Sequence, residues 1–192
     1  MSTPTDNRTV ISYASRHFSG EPWTDTADRW TATFYYNGAE ERLGTATITR
    51  VIPNVSPNPR EALASDPGFL DRIPRVIFDE DGSLAPALDE LEPAMLLLLE
   101  SVEVREEWRG TGLGSLLAME ALKHLAVPGT VAVTYPAPLH DVHAPGEVCP
   151  YESDDPMVRR LDEEGVGKLR KMWEGHGFLP LADGVYACRI EP

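Results

Sequence analysis

The sequence predicts a mixed α/β domain with a mostly antiparallel sheet, on three features of its order. Alternating apolar runs come first with no helix between them, "RWTATFYYNGAEERLGTATITRVI" at 29–52 being the clearest. A strand, an amphipathic helix and a second strand then follow one another between 95 and 135. A last helix and a terminal hairpin close the chain, an order that does not describe an extended Rossmann sheet. With 192 residues, 42% of them apolar, the chain suits a single domain over 1–192 with one well-filled core.

Each element has its own signal. "TVISYASRHF" at 9–18 and the two halves of 29–52 read as strands, the latter joined near Asn37 and Gly38, residues that tolerate positive φ. "PNVSPNPREA" at 53–62 is a proline-rich break. From there to about 94 the chain mixes short helical pieces with turns, including a reversal at "DEDGS", and reads as an irregular connection or a lid over substrate. "MLLLLESVEV" at 95–104 reads as a buried strand, although its leading leucines also fit a helix end. Period-two alternation sets Glu100 on the side of Val102 and Val104, and Glu103 on the other.

"LGSLLAMEALKHLA" repeats Leu113, Leu117, Ala121 and Leu125 every four residues, the stripe of a helix that Pro128 and Gly129 close. "TVAVTY" at 130–135 supplies the next strand, parallel to 95–104 by the crossover rule. "VRRLDEEGVGKLRKMWEGHG" gives a final helix, weakened or divided near Gly165 and Gly167. "GFLPLADGVYACRI" reads as a hairpin turning at Asp183 and Gly184.

Charge narrows the partners. The formal net charge is -14, from 31 acidic and 17 basic residues, which argues against nucleic acid. It suits a cationic acceptor, or equally solubility alone. Cys149 and Cys188 make no disulfide framework, and "MSTPTDNRTV" has no basic region leading into an apolar core. "AMLLLL" at 94–99 is far short of a membrane span. A cytoplasmic chain acting without membrane is expected.

The stretch "WRGTGLGSLL" at 108–117 carries the chemistry. A nucleotide P-loop requires Lys and then Ser or Thr after its last glycine, whereas Ser115 and Leu116 follow Gly114. A dinucleotide fingerprint requires a third glycine where Ser115 stands. Two readings remain: a tight strand-to-helix turn, or a cradle for a pyrophosphate. A helix start offers unpaired N–H groups and a positive dipole end, and Gly110, Gly112 and Gly114 let the backbone approach an anion. Arg109 adds a charged fork for phosphate oxygens.

"VEVREEWRGTGLGSLL" resembles the central signature of the GCN5-related N-acetyltransferase superfamily, and "KLRKMWEGHGFLPL" looks like its second. Together they cover about residues 95–190. The resemblance implies an acyl-CoA N-acyltransferase-like fold with a central parallel strand pair and flanking helices. It implies acetyl-CoA as cofactor, its pyrophosphate held by Arg109, Gly110, Thr111, Gly112, Leu113, Gly114 and Ser115. The pantetheine arm would lie against the diverging strand that carries Val102 and Val104.

The chain departs from the family in three places. Trp173 stands where a tyrosine often protonates the leaving thiolate, and the usual asparagine near the start of that helix is absent. The early hairpin and the region 53–94 replace the two helices that commonly follow the first strand.

The expected reaction is acetyl transfer to an amine, on a small molecule or an exposed protein residue, by direct attack. The alternative is a non-catalytic acyl-CoA-binding or regulatory module. Glu100 is the candidate for receiving the amine proton, directly or through water; Tyr135 is the candidate acid, with Tyr151 or solvent as the alternatives. Trp173 is read as a packing or lining ring, since indole is no acid of that kind. His140, His143 and Cys149 lack an evident fourth ligand, so no metal site is expected. His176 reads as the end of the last helix, where a histidine suits the negative dipole. Exposed sheet edges would suit a homodimer.

Overall fold

The computed structural model describes residues 9–16, 27–36, 41–53, 58–64, 72–136 and 156–192. Among the described residues, seven strands form one sheet. They are β1 (Thr9–Arg16), β2 (Ala27–Tyr36), β3 (Glu41–Val51), β4 (Met95–Val104), β5 (Thr130–Thr134), β6 (Leu179–Pro180) and β7 (Tyr186–Ile190), in the spatial order β1-β2-β3-β4-β5-β7-β6. Every pairing is antiparallel except β4 with β5. The mixed architecture expected from the sequence is therefore present, and the leading leucines of β4 belong to the strand. The turn at Asn37 and Gly38 and the loop with His140, His143, Cys149 and Tyr151 lie outside the described residues.

Two cores sit on opposite faces of the sheet. On one face, α4 (Leu113–Leu125) and the end of α5 (Pro156–Gly175) bury Ala32, Phe34, Ile48, Leu97 and Leu99 with Leu117, Leu122, Trp173 and Phe178. On the other, α1 (Pro59–Ala64), α2 (Arg72–Ile77) and α3 (Pro86–Asp89) contribute Leu63, Ile73, Ile77 and Leu88. These pack on Val51, Leu96, Leu98, Val131 and Val133. The region 53–94 is thus, among its described residues, the covering layer of a second core. Its reversal is where expected: Phe78 bridges Leu84 and the N–H of Gly82 donates to Asp79.

Two elements differ from their sequence signals. α5 runs unbroken through Gly165 and Gly167. A Cβ on Gly167 would meet nothing within 4 Å, so that glycine packs against no neighbour; its cost of about 1 kcal/mol is offset by the buried side chains of the helix end. β4 contains a bulge, because Leu99 pairs with Ile48 and Ser101 with Thr47, leaving Glu100 as the extra residue. The terminal hairpin turns as expected, with positive φ at Asp183 and Gly184.

Candidate active site

The site grows from the second half of β4. The parallel pairing with β5 runs from Met95–Thr130 to Leu99–Thr134 and stops, while the pairing with β3 continues to Val104. The Thr134 hydroxyl closes the shared end by donating to the carbonyl of Leu99 at 3.1 Å. Residues 100–104 thus have no strand on their β5 side among the described residues. The slot left along that uncovered edge lies at the carboxyl ends of two parallel strands, a common place for ligands.

The glycine loop begins a few residues farther on. A 3₁₀ turn at Glu106–Trp108 leads into Gly110 and Gly112, with φ of 73° and 80°. Side chains rarely adopt this left-handed backbone, and a Cβ on either residue would meet nothing within 4 Å. Here the glycines serve conformation, and the space they leave is open. Gly114 serves a close approach instead: its Cβ would stand 3.2 Å from Cγ1 of Val104 and 3.5 Å from Cγ1 of Val102. Those two valines support the first turn of α4. Their side chains face the helix, so contact with a ligand in the slot would run through their main chain.

Gly112 caps α4 without a side-chain hydrogen bond. The hydroxyl of Thr111 donates to the carbonyl of Trp108 at 2.7 Å and accepts the N–H of Leu113 at 3.3 Å. Arg109 is exposed and its Nε donates to the carbonyl of Val104 at 3.2 Å. That bond holds the stem against the strand end and does not involve the two Nη groups. Nearby, Arg105 pairs with Glu41 at 3.0 Å and Glu107 at 2.5 Å, which offsets acidic charge before the loop. Nε1 of Trp108 is buried with no hydrogen-bond partner.

The bulge corrects the assignment of strand faces. Glu100 lies on the side of Thr49 and Arg29, opposite Val102 and Val104. Arg29 donates to its two carboxylate oxygens at 3.1 and 2.8 Å, and the Thr49 hydroxyl donates to Oε1. The Glu100 side chain is 7% exposed. Glu103 pairs in register with Thr45, which puts it on this same face, and it is exposed. The two glutamates are neighbours on one side of the sheet. A period-two count fails here because the extra residue restarts the alternation.

Tyr135 follows β5 on that face too, packing against the second core, with Cε2 3.1 Å from the place of a Cβ on Gly184. The register thus brings Glu100 and Tyr135 to the same end of the slot: Leu99 pairs with Thr134, and each candidate is the next residue. Trp173 is 4% exposed and packs edge-on to Phe178 at 5.2 Å, a core ring. Ser115 is 5% exposed, with its Oγ 3.0 Å from Nε2 of His176. His176 does sit just past α5, as its helix-end reading expects, but its ring reaches across to α4.

Arg29 and Thr49 had no sequence signal, standing 71 and 51 positions from Glu100. The Cys188 thiol is pushed up by burial, which disfavours a thiolate nucleophile there. No cluster of His, Cys, Asp and Glu suited to a metal occurs among the described residues, and none of their helices is long and apolar enough to cross a membrane. An open groove of about 580 Å³, lined by Ile11, Tyr13, Glu120, Lys123 and His124, lies at the far end of α4 from the loop. No family model, curated protein or solved structure matches the chain.

Proposed function

We propose that the chain is an acetyl-CoA-dependent N-acetyltransferase, acting on an amine of a small molecule or of an exposed protein residue. The observation that carries this reading is one juxtaposition. Two left-handed glycines with open space over them start α4, directly after a strand whose last residues the next parallel strand leaves uncovered. The residues fit the group: main-chain N–H groups at 110–115 and the Arg109 fork suit a pyrophosphate, and the slot beside 100–104 suits an amide-bearing arm. Bound acetyl-CoA would supply the thioester carbonyl that an amine attacks.

The remaining chemistry falls to the chain. Main-chain N–H groups at the open edge of β4 would stabilise charge developing on the carbonyl oxygen. Glu100, held by Arg29 and Thr49, would orient the amine or a water that takes its proton. Tyr135 is the hydroxyl one register step away, proposed to return a proton to the leaving thiolate. Acceptors with a positive charge fit the acidic balance of the chain.

A second reading, an acyl-CoA-binding or regulatory module without catalysis, is favoured by Trp173. A core ring occupies the position where the resembling family often keeps its acid. A CoA-release assay with a panel of primary amines separates the two. Release that requires both acetyl-CoA and an amine supports transfer; tight acetyl-CoA binding with no release over the whole panel supports the module.

A further inference from the structure

The contact between Ser115 and His176 plays no part in the proposed transfer, yet it reaches the centre of the loop. The Ser115 hydroxyl has one proton. Its Oγ stands 2.9 Å from the carbonyl of Gly112 and 3.0 Å from Nε2 of His176. A carbonyl only accepts, so the hydroxyl donates to Gly112, and the remaining contact is satisfied when His176 donates from Nε2. The reverse arrangement would set two acceptor oxygens 2.9 Å apart with no proton between them.

The Gly112 carbonyl also accepts the N–H of Leu116 at 3.2 Å, so two donors fix it along the helix axis. The peptide unit is planar, and the carbonyl of residue 112 and the N–H of residue 113 belong to the same plane. Fixing the carbonyl toward the helix therefore aims the Leu113 N–H away from it, out of the helix start. That N–H now meets the Thr111 hydroxyl at 3.3 Å, the long end of the hydrogen-bond range, and a phosphate oxygen is a stronger acceptor.

The other end of the chain of bonds is anchored. The His176 backbone N–H donates to the carbonyl of Trp173 at 2.9 Å, and Trp173 is a core residue.

We propose that His176 is a positioning residue for the phosphate cradle: through Ser115 and the Gly112 carbonyl, it fixes the peptide plane that presents the Leu113 N–H. The inference rests on the proposed cradle and adds to it a link from the end of α5 to the first turn of α4.

The test uses the full chain, with CoA and inorganic pyrophosphate as calorimetric probes. His176→Ala and Ser115→Ala should each weaken both probes about five- to tenfold, the worth of one hydrogen bond. The double variant should be no weaker than Ser115→Ala alone, since both act through one chain of bonds. His176→Gln, which keeps an N–H donor, should bind within about twofold of the parent.

A nitrogen spectrum of the ligand-free parent should show the proton on Nε2 of His176. A merely structural contact predicts neither the rescue by glutamine nor the non-additivity. Parent-like affinity in folded His176→Ala, additive losses, or a proton on Nδ1 alone would each overturn the proposal while leaving the cradle intact. The spectrum decides even where the alanine variant does not fold. A parent that binds neither probe would remove the cradle reading and this inference together.

Discussion

The two halves of β4 are one strand doing two jobs. From 96 to 99 it is buried on both faces, with Leu97 and Leu99 in one core and Leu96 and Leu98 in the other, and it is paired on both edges. From 100 to 104 it is only partly buried, carries two glutamates, and is paired on the β3 edge alone. The bulge at Glu100 is the boundary. An apolar residue there would extend the core; an extra residue bearing a carboxylate instead starts a polar face and re-aims the side chains of 101–104.

Breaking the first half should cost the most. Leu97 is fully buried, so Leu97→Ala should destabilise the protein by about 2–5 kcal/mol, read as a lower urea midpoint. CoA affinity of the protein that stays folded should hardly change, because the deletion is inside the paired half.

At the boundary the effect is smaller and coupled. Glu100→Ala removes the two charge-assisted bonds from Arg29 and should cost about 2–3 kcal/mol. In a double-mutant cycle, Arg29→Ala together with Glu100→Ala should cost less than the sum of the single changes. Glu103→Gln, exposed on the same face, should stay within about 0.5 kcal/mol. Turnover sharpens the comparison: Glu100→Gln should lower it by about 10²-fold, and Glu103→Gln should change it little. The opposite result would move the acceptor side to Glu103.

Trp173→Phe should cost about 1–2 kcal/mol through lost packing against Phe178, measured by thermal melting. Turnover under saturating acetyl-CoA should persist. Its complete loss in a folded variant would mean that the ring does more than pack.

These residues also show what the sequence makes legible. Strands and the central helix are periodic, and so the apolar half of β4, the stripe of α4 and the Asp183-Gly184 turn could be read directly. The glycine spacing is local as well, and its left-handed conformations follow from residue type. A bulge is different, because it is a property of pairing with β3, and no count within β4 reveals it. Arg29, Thr49 and His176 come to their partners through tertiary packing across 71, 51 and 61 positions. The covering layer formed by α1, α2 and α3 has no such signal, because each helix is too brief to show a period.

The central claim is that the start of α4 binds phosphate, and Thr111→Asp tests it most directly. Its carboxylate keeps an oxygen for the Leu113 N–H and adds a negative charge at a positive helix end, worth about 0.3–1 kcal/mol, which offsets the lost bond from the Thr111 hydroxyl to the Trp108 carbonyl. The same charge should repel a bound pyrophosphate. In calorimetric titrations the parent should bind CoA, and the aspartate variant, shown folded by a cooperative thermal melt, should bind it at least about tenfold more weakly. Equal affinity in the two proteins, or no binding of CoA to the parent, would contradict the account.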